Sequence, residues 1–400
     1  MPQDKKDKNL NVPPLRFPGF TDEWKDSYLS LDCEVNPKSP ILEDEFVYLD
    51  LESVEKGVLI KRQVIKKVDA PSRAQRVLSD GDVLFQCVRP YQQNNYFYEV
   101  DNSGLQWVAS TGYAQLRVKH SNPEFIYHLL SSPSFTRKVI VRCTGSNYPA
   151  INSEDLSSIH YRICSLPEQK KIAKLITLLD ERIAAQNKII DNLQSLIKGL
   201  IQYLIHDGIK NGSWQNIMLS EILTQRNELN TKYHPVHSVS VSAGVINQVE
   251  YLGRSFAAKD TAHYHVVNHG DIVYTKSPTG NQPYGIIKQS HCMNPAAVSP
   301  LYGVYEPVSF EVGNILHYYF LNPLNTNNYL LPLIQKGAKN TINISNQRFL
   351  ENSIPFPTNN AEICCVSKML SSIDSKIKLE NNTLDTFIKQ KRYLLNMLFI

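Results

Sequence analysis

Two segments of this chain carry a heptad pattern long enough to dictate how everything else is arranged. From Glu168 to Ile205, apolar residues step alternately by four and three: Ile172, Ile176, Leu179, Ile183, then Gln186, then Ile190, Leu193, Ile197, Leu200 and Leu204. Adding 194 to each position gives Val366, Leu370, Ile373, Ile377, then Glu380, then Leu384, Phe387, Lys391, Leu394 and Leu398. A seam with this spacing lines one side of an α-helix and must be buried against another helix. Neither segment contains proline, and Gly199 is the one glycine in them. Each helix has about 38 residues, or about 57 Å at 1.5 Å per residue. Gln186 and Glu380 occupy the same seam position. They read either as a polar layer that fixes register or as a solvated gap in an imperfect coil.

The rest of the chain repeats with nearly the same offset. Trp24-Lys25-Asp26 returns as Trp214-Gln215-Asn216, and Gly81-Asp82-Val83-Leu84-Phe85 as Gly270-Asp271-Ile272-Val273-Tyr274, about 190 residues on. Ser132-Pro133 returns as Asn322-Pro323, and Gly145 with Ile151-Asn152-Ser153 as Gly337 with Ile344-Ser345-Asn346. The order therefore reads as a disordered polar start (1–12), a globular domain (13–165), a helix (166–206), a second globular domain (213–358) and a second helix (361–400). His206 to Ser213, with two glycines, is expected to end the first helix. Branched and aromatic runs at Phe46–Leu49, Val83–Val88, Tyr113–Val118, Asp271–Tyr274 and Ala297–Val304 predict strands. Short helices are expected at Pro123–Leu130 and Val312–Leu321. The fold class is α/β in the broad sense, mixed α+β, with two globular domains separated by two long helices. The second domain begins where the first helix ends, and the second helix begins where that domain finishes. Pairing of the seams then makes the coiled coil antiparallel, with the domains related by a pseudo-two-fold axis. Two modules spaced by a rod suit a duplex, whose dimeric readers sit about one helical turn, roughly 34 Å, apart.

Composition excludes several classes. Apolar residues make up 42% and charged residues 20% of the 400, a globular balance. No run of about 18 to 20 apolar residues is present, so no membrane span is expected. Met1 to Asn11 lacks the apolar core of a signal peptide, and a cytoplasmic location is expected. The seven cysteines include no Cys-x-x-Cys pair, which suggests free thiols. Net charge is only +4, but the basic residues cluster: Lys61, Arg62, Lys66, Lys67, Arg73 and Arg76 in one run, Arg137, Lys138 and Arg142 in another. Either run reads as a solvated face or as a nucleic-acid contact. No G-x-x-x-x-G-K-[ST] phosphate loop, no Asn-Pro-Pro-Tyr motif and no nuclease carboxylate cluster is recognisable. His263 and His265 would share one side of a strand near His269, His291 and Cys292. No second ligand cluster accompanies them, so no metal site is expected.

Leu15-Arg16-Phe17-Pro18-Gly19-Phe20, followed by Trp24, resembles the N-terminal signature of type I restriction-modification specificity subunits. Leu166-Pro167-Glu168-Gln169-Lys170-Lys171-Ile172-Ala173 resembles the start of that family's first central helix. The second helix departs from the pattern. Phe356-Pro357-Thr358-Asn359-Asn360-Ala361-Glu362 lacks the Glu-Gln-Lys run, and Lys391 stands at an apolar seam position. The resemblance implies a non-catalytic subunit with two target-recognition domains that read an asymmetric, bipartite site on double-stranded DNA. It implies helices that also bind two modification (methyltransferase) subunits, with restriction (motor-nuclease) subunits joining the complex. S-adenosylmethionine and ATP with Mg would belong to those partners, and this chain would bind no cofactor.

Base edges are read by side chains, while Lys and Arg mostly hold phosphates. The loops after the repeated Gly-Asp strands offer Arg89, Tyr91, Gln92, Gln93, Asn94 and Asn95 in the first domain. In the second they offer Lys276, Ser277, Thr279, Asn281, Gln282 and Tyr284. The other repeated loop offers Ser146, Asn147 and Tyr148, with Lys339 and Asn340 as its partners. Gln and Asn can pair with adenine and Arg with guanine, although these residue types also favour ordinary polar turns. Two further classes remain open on sequence alone. A coiled-coil scaffold with two protein-binding modules is compatible with the modest charge. A reduced restriction-modification enzyme would require motifs that are not found.

Overall fold

The computed structural model describes residues 11–276, 280, 282–336 and 342–400. The polar start expected to be disordered lies outside the described residues up to residue 10. Asn11 is already held in place, its carbonyl accepting the Trp24 N–H at 2.8 Å. The chain divides into two compact units, Met1–Gln186 with Thr383–Ile400, and Asn187–Asn382.

Besides the short hairpin of Val54–Glu55 and Val58–Leu59, the strands of the first unit are β1 (Lys25–Tyr28), β2 (Cys33–Val35), β3 (Glu45–Leu49), β4 (Gln63–Lys66), β5 (Ala74–Val77), β6 (Val83–Gln86), β7 (Tyr96–Phe97), β8 (Gln106–Ser110), β9 (Tyr113–Val118) and β10 (His160–Ile163). Its longer helical segments are α1 (Pro123–Leu130), α2 (Pro133–Arg142), the first half of α3 (Leu166–Asn211) and the C-terminal part of the last helix. β1 pairs with β10, one sheet runs β4-β3-β8-β5 and another β2-β9-β6-β7. The second unit contains β11 (Trp214–Met218), β12 (Leu223–Gln225), β13 (Ile272–Thr275), β14 (Ile286–Gln289), β15 (Gly303–Pro307) and β16 (Ser353–Pro357), with α4 (Phe310–Tyr319), α5 (Pro323–Leu330) and most of α6 (Asn360–Met397). Here β11 pairs with β16, and a four-stranded antiparallel sheet runs β12-β15-β13-β14. That order, element for element, repeats β2-β9-β6-β7. The expected strand Ala297–Val304 is two strands, Ala296–Val298 and β15. Pro300 has no N–H to donate, and the Tyr302 N–H closes a turn onto the Ser299 carbonyl.

The repeated motifs have local physical jobs. In Asn122-Pro123 and Ser132-Pro133, the side-chain oxygen accepts the Phe125 and Phe135 N–H at 2.8 and 3.2 Å, and proline fills the first helical position. Asn322-Pro323 opens α5 in the same way. The aspartates of the repeated Gly-Asp strands are buried staples rather than surface groups. Asp82 accepts from the Ser79 N–H, Gln115 Nε2 and the Arg117 guanidinium. Asp271 accepts from the Asn268 N–H and Arg226.

Every seam position of α3 and α6 is buried or half-buried. Within the first unit, Lys391 meets Asp180 at 2.5 Å and Arg182 lies over the Phe387 ring at 5.5 Å, so the helices run in opposite directions. Within the second, Glu362 at the start of α6 accepts from Trp214 Nε1 and Ser213 Oγ, just past the end of α3. The direction is again antiparallel. Lys391, a misfit in an apolar seam, is there to meet Asp180, a carboxylate whose proton affinity burial raises and Lys391 lowers. The first helix continues beyond residue 205, through His206, Asp207 and Gly208 to Asn211. Of the two glycines in the stretch expected to end it, Gly208 is a packing position, because a Cβ there would overlap the Trp214 indole. Gly212, with φ +81°, supplies the left-handed turn that ends the helix. Among the described residues, no helix is long and apolar enough to cross a membrane.

His128 sits under this seam, 2% exposed, with Nε2 3.0 Å from Thr177 Oγ1 and Nδ1 4.0 Å from Asp180. Burial, with Lys391 adding to it, pushes the imidazole down to about 3. The unfolded chain therefore takes up this proton below about pH 6.5 while the folded chain refuses it. Stability from this site is full above pH 6.5 and is lost as pH falls towards 3. Urea denaturation at pH 7 and pH 5 should show a drop of about 2 kcal/mol from this group. His128→Gln should remove that part of the pH dependence.

Candidate nucleic-acid interface

β6 ends on Gln86, a 2%-exposed polar residue closing an otherwise apolar strand. It organises the loop that follows. Its backbone N–H donates to Asn95 Oδ1 at 2.9 Å, its Nε2 to Gln92 Oε1 at 2.9 Å, and its Oε1 accepts the Asn94 N–H at 3.0 Å. Between these anchors Pro90–Gln92 forms a 3-10 turn flanked by Arg89 and Gln93, both left-handed with φ +54° and +55°. Each such non-glycine residue costs about 1–2 kcal/mol, and the conformation persists because both sides are pinned. The Arg89 N–H donates to the Pro149 carbonyl at 2.7 Å, and Gln93 Nε2 to Thr136 Oγ1 at 2.9 Å.

The second candidate loop follows α2. Thr144 and Ala150 exchange two backbone hydrogen bonds at 2.9 Å, and Ala150 also bridges to Val88. Gly145 has φ +93°, and a Cβ there would press on the Tyr148 carbonyl at 3.0 Å. The two loops meet where the Arg89 guanidinium lies 4.3 Å over the Tyr148 ring. Together they present one surface carrying Tyr91, Gln92, Ser146, Asn147 and Tyr148, all exposed.

The candidate residues thus separate by role. Asn95 is 2% exposed and its carboxamide oxygen is committed to the backbone, so it holds the loop and does not reach a base edge. Asn94 accepts the Lys56 N–H at 2.9 Å, and Gln93 is committed to Thr136. In the second unit, Lys276 leaves β13 half-buried, and burial lowers its pKa. Gln282 is 5% exposed, too deep to read a base as it stands, and its Oε1 has no partner among the described residues. The Tyr284 carbonyl accepts the Tyr274 hydroxyl at 2.8 Å. Ser277, Thr279, Asn281, Lys339 and Asn340 lie outside the described residues. Sequence reasoning passed over Gln86 and Thr136, although a lone glutamine at the end of Val83-Leu84-Phe85 was a readable signal.

Three members of the first basic run have partners within the chain. Arg62 turns to Asp101 and the Trp107 ring, Lys67 donates to the Leu42 carbonyl and Arg76 to the Tyr113 carbonyl. His263 does not share a strand with His265. The strand begins at His265, and the His263 ring packs edge-on to Tyr264. Among the described residues, no group of three or more His, Cys, Asp or Glu could hold a metal ion.

Two distant sequence motifs interlock at the start of α3. Arg16 grips the buried Glu168 carboxylate with both Nε and Nη2, at 2.7 and 2.8 Å, and Lys171 lies 5.1 Å over the Phe20 ring. Gln169 accepts the Asn122 N–H and donates to the Cys164 carbonyl. At α6, Glu362 meets Trp214 and Ser213 instead, which is how the second helix dispenses with the missing run.

Residues 77–195 match the model of the type I restriction modification DNA specificity domain. The chain is 26% identical over 160 residues to the type I restriction enzyme HindI specificity subunit of Haemophilus influenzae, covering 39% of this chain and 34% of that relative. It therefore spans about a third of that relative's length in the match. A crystal structure of a type I restriction-modification system S subunit from M. genitalium aligns over 97% of this chain and 99% of its own, with TM-score 0.56 and 13% identity. A chain from a study of complex assembly and conformational transition in a type I R-M system aligns over 93% and 96%, with TM-score 0.50 and 19% identity. Residues 77–195 of this chain therefore resemble a type I restriction modification DNA specificity domain. The two structural likenesses carry the fold. The matched specificity domain begins at the end of β5 and runs into the middle of α3, so it contains both loops of the interface.

If Asn95 is a scaffold of this specificity domain and Tyr91 an exposed contact, the two respond differently to truncation. Asn95→Ala strands the buried Gln86 N–H and should cost about 1–3 kcal/mol in a urea melt. Tyr91→Ala should stay within about 0.5 kcal/mol of the parent.

Proposed function

We propose that this chain is the DNA-reading specificity subunit of a type I restriction-modification complex, with no catalytic centre of its own. Each unit reads one part of an asymmetric bipartite site, and the paired α3 and α6 segments dock two modification subunits, through which restriction subunits join. S-adenosylmethionine, ATP and Mg belong to those partners in this reading.

The observation that carries it is the Arg89–Tyr148 stack. Stacking engages the face of the guanidinium and leaves its in-plane donors free. Among the described residues, the Arg89 side chain makes no hydrogen bond or ion pair. A guanidinium held at a fixed angle beside exposed Tyr91, Ser146 and Asn147 suits bidentate donation to guanine O6 and N7. The same sheet order in the second unit supports a second reader of the same build.

The deciding experiment mixes the chain with its cognate modification subunit and maps adenine methylation across a genome. Methylation at one two-part motif with a fixed gap is the expected result. A stable, active complex that methylates no such motif would overturn the reading in favour of a protein scaffold. Arg89→Ala should then relax one position in one part of the motif, by about 1–3 kcal/mol of discrimination, and leave the other part as it was.

A further inference from the structure

α2 buries Phe135 and Val139 and turns its opposite side to solvent, where Val141 is 86% exposed and Ile140 48%. Three cations stand on or beside that outer side. Arg137 and Arg142 are exposed. Lys138 bends towards β10 and donates to the His160 carbonyl at 3.1 Å, while Arg142 donates to the Lys138 carbonyl at 3.3 Å. Arg162 of β10 completes the group. Among the described residues, Arg137, Lys138 and Arg142 make no ion pair. Arg162 shares the exposed Asp26 carboxylate with His160, at 3.4 and 2.9 Å. The four cations are close enough that Lys138, already disfavoured by burial, is further depressed by Arg162, Arg142 and Arg137. Like charges gathered with so little compensation favour an anionic ligand.

This face adjoins the reading loops through the chain itself. Thr136 of α2 holds Gln93, and the last residue of α2 is three positions before Gly145. The corresponding positions of the repeat carry no cation. α5 reads Pro-Leu-Asn-Thr-Asn-Asn-Tyr-Leu without a charged residue. Arg137 and Lys138 correspond to Asn327 and Asn328 and Arg142 to Pro332, and the strand register, Asp26 opposite Arg162 and Asn216 opposite Pro355, sets Arg162 against Pro355.

We propose that Arg137, Lys138, Arg142 and Arg162 form an anchor for the phosphodiester backbone of duplex DNA, present in the first unit and missing from α5 of the second. The anchor positions the duplex and does not read it, so the two parts of the site are held unequally. This rests on the DNA-reading function proposed above.

The test uses the chain in complex with its modification subunit and a duplex carrying the methylated motif, with an unrelated duplex beside it. Affinity is measured across a salt series for the parent, Arg137→Ala/Arg142→Ala, Arg137→Lys/Arg142→Lys and Asn328→Ala. Each lost phosphate contact removes about 0.9 from the slope of log affinity against log salt. The double alanine variant should therefore lose about 2 from the slope, weaken on both duplexes alike and keep the same motif. The double lysine variant should keep the parental slope, as should Asn328→Ala. An unchanged slope in a folded double alanine variant, checked by circular dichroism, overturns the anchor and leaves the reading function intact. Loss of assembly with the modification subunit at an unchanged slope also overturns it, by making this a protein contact. A parent complex without selective, salt-dependent binding fails the reading function itself, and the anchor with it.

Discussion

Ile172, Ala173 and Ile176 of α3 pack into one apolar cluster with Leu395, Leu398 and Phe399 of the α6 end, and Trp24 and Phe125 belong to the same cluster. Phe125 and Phe399 lie with ring centroids 5.3 Å apart. The Leu15 N–H donates to the Met397 carbonyl at 3.0 Å. Full burial of each large apolar side chain contributes about 1.5–3 kcal/mol, against a net stability of about 5–15 kcal/mol for a typical domain. The helix seam is thus not a spacer added to finished domains. It supplies a wall of the core, on which Trp24, Phe125 of α1 and Tyr161 of β10 pack in the same cluster.

The two units keep their sheet order while changing much of what fills it. The Gly-Asp strand shows where the constraint lies. Asp82 and Asp271 are both buried and both bound to an arginine, yet Arg117 comes from β9 and Arg226 from just after β12. What must be satisfied is the buried carboxylate, which is costly unless paired and hydrogen-bonded. Which strand supplies the cation is free to drift. Arg226 also reaches Glu306 at 3.0 Å, a contact that Arg117 does not copy.

Periodicity made the seam legible, because a stripe that must be buried leaves its spacing in the chain. The repeat made the two-unit organisation legible for the same reason. The stretch that ends α3 was legible in its two glycines, but which of them stops the helix was not, since Gly208 packs on Trp214 and Gly212 makes the turn. Lys391 read as a flaw because its partner, Asp180, is about two hundred residues away in sequence. In the loop after β6, composition alone could not separate Tyr91, which is exposed, from Asn95, which is buried. The buried Gln86 N–H, which Asn95 Oδ1 accepts, is what turns the Asn95 carboxamide inward. The Ala297–Val304 run shows the opposite failure. Its apolar content marks buried strand, and the turn at Ser299-Pro300 within it divides that strand in two.

The composition of the first unit has a consequence for how the chain is made. Asn187–Asn382 is contiguous, so all of its contacts are available once that stretch has emerged, and it can close on its own. The first unit draws on Leu395, Leu398 and Phe399, more than two hundred residues after its last strand. Loop closure over such a separation is slow, and domains emerge in sequence order during synthesis. The unit that is translated first is therefore the one that finishes last. Until α6 arrives, Ile172 and Ile176 face a gap in a nascent core, and that interval is when the chain most needs protection from other exposed apolar surfaces.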